Sequence, residues 1–272
     1  MAITAKEVNT LRKQTGLGLM DCKNALVEAE GDFDKAIDLL RKKGQKIAAK
    51  RGDNDAKEGY VIAKVSEDGK NGINIVLNCE TDFVAKNDGF ADFVNSIADL
   101  ALAEKPATKE ELAHLKLDGG SVADALESQM GKIGEKLEIS DFGFISAECV
   151  VAYNHPGNRT ASIIGLSKVN SELGRDLAMQ IAAMSPVAVD ENGVSEEIKQ
   201  KELEIGKELA INEGKPAEMA DKIAFGRLKK FMKERTLMNQ DFIKENKTSV
   251  KQYIEKNDNG LTVSAFKLIT LA

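Results

Sequence analysis

The sequence predicts an α+β fold, and three patterns support this prediction. Residues 60–101 and 148–184 each have the pattern of a β-hairpin followed by an amphipathic helix. Residues 1–52 have the spacing of three helices, and residues 195–235 have that of two long charged helices joined by a turn. We therefore expect a small helical domain, two related hairpin-plus-helix subdomains and an antiparallel helical hairpin.

The first hairpin and its helix have the strongest patterns. Two β-rich runs, 60–65 and 73–79, flank a loop that contains an Asp-Gly and an Asn-Gly dipeptide, and both dipeptides favour a positive φ in tight turns. Apolar residues then recur at offsets of three and four, which places them on one helix face: Phe90, Phe93, Val94, Ile97, Ala98 and Ala101. This spacing predicts a packed amphipathic helix.

The corner between this hairpin and its helix carries an aromatic residue beside a carboxylate. Asn87 or Asp88 can cap the helix, so Thr81 and Asp82 are available to begin a short turn of their own. Phe83 then lies off the apolar face of the helix, and it is either a satellite of the core or an exposed wedge for a partner. Composition alone favours the core.

Three helices are expected near the N-terminus. Thr4 and Glu7 form a capping-box pattern at the start of the first helix, and the second helix is expected at 21–30. The inward positions of the second and third helices are Cys22, Ala25, Leu26, Ala29, Phe33, Ala36, Ile37 and Leu40.

Two segments of this region are ambiguous. The apolar loop 17–20 is equally consistent with a staple onto the third helix and with a contact patch for a partner. The basic run 41–51 has no acidic residue and is either a contact for nucleic acid or an acidic protein, or a solvated helix end and linker. We favour the second interpretation, which marks a domain boundary near residue 52.

The second hairpin turns at His155, which is expected to be solvated at the tip. The helix that follows has an apolar stripe of Leu173, Leu177, Ile181 and Met184. Other elements are expected as short helices after the cap Thr108 and at 121–132 and 248–256, and as strands at 137–146, 148–154, 160–169 and 261–271. We expect the last strand to rejoin the second sheet.

The two charged helices, 195–213 and 216–235, are expected to pair through a thin apolar seam. The seam positions are Ile198, Leu203, Ile205, Leu209, Met219, Ile223, Phe225, Leu228 and Met232.

The composition of the 272 residues favours a protein partner over nucleic acid or a membrane. The net charge of −6 argues against a basic phosphate-binding face, and the N-terminus lacks the apolar region of a signal peptide, so we expect a cytoplasmic protein. Three widely spaced cysteines indicate buried thiols rather than disulfides or a zinc site. With two histidines and no familiar catalytic or nucleotide-binding motif, we expect neither an enzyme nor a bound cofactor.

Two motifs resemble one known family. The segment NCETDFVAKN (78–87) resembles the signature of elongation factor Ts, the guanine-nucleotide exchange factor of the translational GTPase elongation factor Tu. A second family-like motif, TGLGLMDCKNAL (15–26), precedes it, and later segments resemble the family as far as about residue 270. Two long unrelated motifs in the expected order make the resemblance specific.

The resemblance implies a domain organisation. It implies a ubiquitin-associated-like three-helix domain at 1–52, a core N-subdomain at 53–140 and a core C-subdomain at 141–272. The helical hairpin, about 190–235, would be a projecting coiled coil inserted in the C-subdomain. Some members of the family continue into a further helical module, which this sequence does not show.

The resemblance also implies a surface that binds elongation factor Tu. Asp82 and Phe83, flanked by Thr81 and Val84, would insert near the magnesium and phosphate region of the GTPase. The residues Arg12, Leu19 and Met20 would hold a helix on its guanine side, and His155 would touch it from the second subdomain. Pro156 departs from the family pattern in this last turn.

Two other functions are compatible with the residues. A plain adaptor would use the three-helix domain to bind ubiquitin-like or helical ligands, with the rest of the chain as scaffold. A thiol hydrolase would use Cys79 or Cys149 with His155, but no recognisable motif supplies a third orienting residue.

Overall fold

A computed structural model describes residues 3–271, apart from the side chains of Ala48 and Ala217, and it confirms the predicted mixture of helix and sheet. Within these residues the helices are α1 (Ala5–Thr15), α2 (Leu19–Glu28), α3 (Phe33–Arg51), α4 (Asp82–Ala85), α5 (Asp88–Glu104), α6 (Lys109–His114), α7 (Val122–Ile133), α8 (Ser171–Met184), α9 (Glu196–Asn212), α10 (Ala217–Arg235) and α11 (Val250–Asn257). The strands are β1 (Glu58–Val65), β2 (Asn71–Cys79), β3 (Lys116–Leu117), β4 (Gly120–Ser121), β5 (Glu138–Ser146), β6 (Cys149–Asn154), β7 (Thr160–Leu166) and β8 (Val263–Thr270).

The strands form three sheets. The first has the order β1-β2-β5, the second has the order β6-β7-β8, and β3 and β4 form a small two-stranded ribbon that the sequence patterns did not predict. Strands β6 and β7 are antiparallel, with Cys149 opposite Leu166 and Asn154 opposite Ala161. The prediction that the last strand rejoins the second sheet is therefore confirmed.

The chain divides into two compact units. The first takes in the described residues up to Ile62, then Ile75–Gly143 and the residues from Ile269 onward. The second takes in Ala63–Asn74 and Phe144–Leu268. The three-part division expected from the sequence, with boundaries near 52 and 140, stays a prediction.

The N-terminal helices pack around the predicted positions. Thr4 and Glu7 form the expected capping box of α1. The buried cluster consists of Val8, Leu11, Cys22, Ala25, Leu26, Ala29, Ala36 and Leu40. Helices α1 and α2, with 11 and 10 residues, are each too short to be stable alone in water, so the cluster that they share with α3 stabilises them.

Residues 41–51 form a largely exposed helix end, as interpreted, but they are not a linker. Helix α3 continues through them to Arg51, and it packs against α7. The approach is close, because a Cβ added to Gly44 would lie 3.1 Å from the carbonyl oxygen of Glu127. Packing against α7 explains why this basic segment stays helical although its charges favour solvent.

The first hairpin, formed by β1 and β2, and the helix α5 follow the sequence pattern. Every residue of β2 is buried. On α5 the buried residues are Phe90, Val94, Ile97, Ala98 and Ala101, whereas Phe93 is half-buried. The helix begins at the expected cap, since the side chain of Asn87 accepts a hydrogen bond from the Gly89 N–H.

The second unit has its core between α8 and the strands β6 and β7. Leu173, Leu177 and Ile181 are buried in it, as predicted. Met184 is exposed, so its assignment to the apolar stripe is wrong. The reason is that α8 ends at this residue and the chain turns away through Ser185, whose φ is +43°.

The helical hairpin forms within a few residues of the predicted bounds, but its predicted seam is partly wrong. Ile205, Leu209, Met219 and Phe225 are exposed. The buried contact is made instead by small residues, namely Gly206, Ala210, Ala220 and Ala224. A Cβ added to Gly206 would lie 3.1 Å from the Ala224 Cα, so the two backbones approach too closely for large side chains between them.

The close packing at this seam predicts that a Gly→Leu substitution changes the free energy of unfolding in opposite directions at Gly206 and Gly226. Gly206→Leu should lower the free energy of unfolding by about 1–3 kcal/mol, because the new side chain has no room against Ala224. Gly226→Leu, on the open side of α10, should raise it by up to about 1 kcal/mol through helix propensity. Thermal and denaturant unfolding followed by circular dichroism measures both, and equal effects at the two positions would contradict the seam.

Candidate functional site

The segment Thr81–Val84, called the Phe83 turn from here on, is an exposed corner. It is separated from β2 by Glu80 and includes the first part of α4, a single helical turn in which no residue is buried. The side chain of Phe83 is 85% exposed. The expectation from composition, that Phe83 belongs to the core, is therefore wrong, because α4 is separate from the apolar face of α5.

Asp82 directly precedes Phe83 in the sequence, and its carboxylate is ionised at neutral pH. Lys86 Nζ donates a hydrogen bond to Asp82 Oδ2 at 2.7 Å. This hydrogen bond, together with the positive charge of Lys86, lowers the pKa of Asp82. The Phe83 turn therefore presents an apolar ring next to a charged oxygen acceptor.

Thr81 is hydrogen-bonded to a neighbouring segment of the chain. Its hydroxyl donates to Glu135 Oε1 at 2.7 Å, and its backbone N–H donates to Glu135 Oε2 at 3.0 Å. Because the hydroxyl is occupied in this way, it does not cap α4, which has no side-chain cap. Val84 is half-buried. The two residues that flank Asp82 and Phe83 are thus less exposed than Phe83 itself.

A second group of predicted contact residues lies on the N-terminal helices. The prediction that residues 17–20 form a loop is corrected by the structure, because α2 begins at Leu19. Arg12 is exposed on α1, and Leu19 and Met20 are 49% and 60% exposed on the first turn of α2. Leu17 packs against the buried cluster. The two alternatives for this segment therefore divide between its residues: Leu17 is the staple, and Leu19 and Met20 are available for contact.

One exposed apolar residue near this group was missed. Val27 is 56% exposed on α2, seven positions after Met20 and eight after Leu19, and therefore on the same side of the helix. The i, i+7 spacing could have indicated it from the sequence. Together the three residues give α2 an outward apolar strip, which soluble proteins often use for binding.

His155 lies in the second unit, at the turn between β6 and β7. The side chain is exposed, and Nδ1 is 3.0 Å from the hydroxyl oxygen of Tyr153. Gly157 and Asn158 have φ values of +92° and +52°, so the turn takes a left-handed conformation directly after Pro156. The other predicted site residues all lie in the first unit.

The cysteine thiols offer no accessible nucleophile. All three cysteines are buried and unpaired with one another. Burial, followed by the negative charges of Glu135 and Glu58, raises the pKa of Cys79 to about 12. The Cys79 Sγ also donates to the carbonyl oxygen of Thr81 at 3.2 Å. These observations argue against the thiol-hydrolase alternative.

Two other features are absent from the described residues, namely a metal-binding cluster and a membrane-spanning helix. No group of three or more His, Cys, Asp or Glu side chains among them is arranged to hold a metal ion. Likewise, no helix in residues 3–271 is long and apolar enough to cross a membrane.

The burial of the cysteines predicts slow reaction with thiol reagents. In the folded chain, Ellman's reagent at pH 7 to 9 should modify none of the three thiols rapidly, because access is blocked and a pKa of about 12 keeps Cys79 protonated across this range. Addition of denaturant should release all three. A rapidly reacting thiol in the folded protein would contradict this arrangement and would reopen the hydrolase alternative.

Comparison with known proteins identifies the family. The family profile described as "Elongation factor TS" matches residues 80–272. The chain is 50% identical over 273 residues to the elongation factor Ts of Amoebophilus asiaticus, covering 99% of both chains. It is 52% identical over 272 residues to that of Christiangramia forsetii, covering 99% of this chain and 98% of the relative. With matches of this length and identity, the chain belongs to the elongation factor Ts family.

Proposed function

We propose that this chain acts in the elongation step of translation as the guanine-nucleotide exchange factor of elongation factor Tu. The observation that carries the proposal is the Phe83 turn: a phenylalanine that is 85% exposed, beside an ionised Asp82, in the motif that resembles the family signature. An exposed aromatic residue of this size is a typical anchor of a protein interface. The expected setting is the cytoplasm, with no direct contact to nucleic acid.

The mechanism requires binding energy and no covalent chemistry. A factor that binds the nucleotide-free GTPase more tightly than the GDP-bound form lowers the affinity for GDP by the same ratio. Each ligand therefore promotes release of the other, and a factor that leaves again acts catalytically on exchange. In this proposal the ring of Phe83 fills space near the phosphate region, and Asp82 disturbs the charge around the magnesium ion.

The remaining predicted contacts hold the GTPase while the Phe83 turn acts. Arg12, Leu19 and Met20 are all exposed and would grip a helix on the guanine side. His155 would add a contact from the second unit. Thr81 and Val84 would support the turn more than they touch the partner, since Thr81 is bonded to Glu135 and Val84 is half-buried.

The proposed class of function can be tested directly by measuring whether nucleotide dissociates the complex. The immobilised full-length chain should retain purified elongation factor Tu in nucleotide-free buffer and release it when GDP and magnesium are added, because the two ligands compete through the coupling described above. Retention that is insensitive to GDP would favour the adaptor alternative, in which the N-terminal helices bind regardless of nucleotide.

The wedge role of Phe83 predicts separate effects on exchange and on stability. Phe83→Ala should weaken binding or exchange by about 2 kcal/mol or more, the scale of an interface hot spot. Its free energy of unfolding should change by less than about 0.5 kcal/mol, because the ring contributes little to the core. Release of a fluorescent GDP analogue from elongation factor Tu and urea unfolding of the free chain measure the two quantities.

A matched control is available on the helical hairpin. Phe225 is 59% exposed on α10, so Phe225→Ala removes a similar ring from a surface outside the proposed site. Exchange should be unchanged in this variant. Asp82→Ala should slow exchange less than Phe83→Ala, because Asp82 acts through charge and fills no pocket. Normal exchange in Phe83→Ala would remove the wedge from the proposal.

A further inference from the structure

We propose that Glu80 and Glu135 are positioning residues for nucleotide exchange, which fix the direction of the Phe83 turn through a reciprocal set of hydrogen bonds. The inference rests on the function proposed above. It concerns a group of four residues, Arg51, Glu80, Glu135 and Lys136, which we call the clasp. All four lie in the first unit.

Glu135 binds the backbone at the start of the Phe83 turn. Its carboxylate accepts from the Glu80 N–H at 3.1 Å, the Thr81 N–H at 3.0 Å and the Thr81 hydroxyl at 2.7 Å. Hydrogen bonds to a carboxylate are roughly twice as strong as those between neutral groups. Three of them on two consecutive residues fix the backbone at the point where β2 gives way to α4.

Glu80 in turn accepts a hydrogen bond from the segment that carries Glu135. Its Oε1 accepts from the Lys136 N–H at 2.6 Å, and Arg51 Nη1 donates to Oε1 and Oε2 at 2.9 and 2.8 Å. The Lys136 N–H, followed by Arg51 and Asn54, lowers the pKa of Glu80, so the carboxylate is ionised at neutral pH. Glu135 thus binds the backbone of the segment that contains Glu80, and Glu80 binds the backbone of the segment that contains Glu135.

The clasp also reaches the end of α3. Arg51 is the last residue of that helix, and Lys136 Nζ donates to the carbonyl oxygens of Gly52 at 2.7 Å and Asn54 at 3.1 Å. Because α3 packs on α2, the same helix that supports the strip with Leu19 and Met20 is bonded to the base of the Phe83 turn. The clasp therefore connects the two groups of proposed contact residues in this unit.

The Phe83 turn needs such support because little within it fixes its shape. Helix α4 has four residues and none is buried, and a single helical turn costs more in conformational entropy than its hydrogen bonds return. The ion pair between Asp82 and Lys86 is exposed, and pairs of this kind contribute little. The orientation of Phe83 is therefore set by the residues at the base of the turn.

The test uses the full-length chain and the variant Glu135→Gln, with Glu104→Gln as control. Glu104 is an exposed carboxylate at the end of α5, so its variant makes the same chemical change outside the clasp. Amide hydrogen exchange by mass spectrometry is measured on the free chain over residues 80–84. Release of a fluorescent GDP analogue from elongation factor Tu is measured over a range of factor concentrations.

In Glu135→Gln, exchange of the Glu80 and Thr81 amides should speed up by about tenfold or more, since both lose a charged acceptor. The maximal rate of GDP release should fall by about tenfold, with the half-saturating concentration changed by less than about twofold. A loss of folded protein would instead raise the half-saturating concentration and leave the maximal rate intact. Glu104→Gln should match the native chain in every measurement.

Two outcomes would overturn the positioning role: unchanged amide exchange, or faster amide exchange with an unchanged maximal rate of release. If GDP release is slow in Phe83→Ala, either result would leave the proposed function standing. Normal release in Phe83→Ala would remove the wedge role of Phe83 and, with it, the positioning role of the clasp. If Glu135→Gln unfolds at the assay temperature, Thr81→Val supplies the same test. It removes only the hydroxyl bond to Glu135, and it should change both measurements in the same direction by a smaller factor.

Discussion

The exposed Phe83 turn lies between two well-bonded parts of the first unit, and the placement of its ring depends on both. On one side β2 is buried along its whole length, and the carboxylate of Glu135 takes the backbone N–H groups that follow it. On the other side Asn87 caps α5, whose inner face is buried. A segment with no buried residue of its own is thereby held in place, and the ring of Phe83 can stay in water without collapsing onto the core.

Local signals were sufficient for most elements of the fold. The capping box at Thr4 and the cap at Asn87 act within four residues, and the period of the apolar residues on α5 follows from helix geometry alone. The clasp could not be predicted in this way, since Glu135 follows Thr81 by 54 residues and no pattern in either segment indicates the other. Composition also gave the wrong environment for Phe83, and only the resemblance to a family favoured its exposure.

The helical hairpin shows a second limit of sequence patterns. The period of the apolar residues indicates which of them share a face of α9 or α10. It does not indicate which of two apolar faces of different width is buried. The structure selects the face with Gly206 and Ala224, where the backbones can approach closely and gain more dispersion contact. Larger residues such as Phe225 are left outside. The size of the side chains, as well as their polarity, therefore decided which face was buried.

Rigidity of the Phe83 turn matters because of the size of the energies involved. Ordering the backbone costs about 1–2 kcal/mol per residue, so a disordered turn of four residues would lose several kcal/mol on binding. A single aromatic hot spot contributes about 2 kcal/mol or more, which is of the same order. In the proposed exchange mechanism, a turn ordered only on contact would therefore leave less free energy with which to oppose GDP. In the proposals made above, Glu80 and Glu135 order the turn during folding, so that this cost is met before the partner arrives and the contact energy of Phe83 remains available for the coupling.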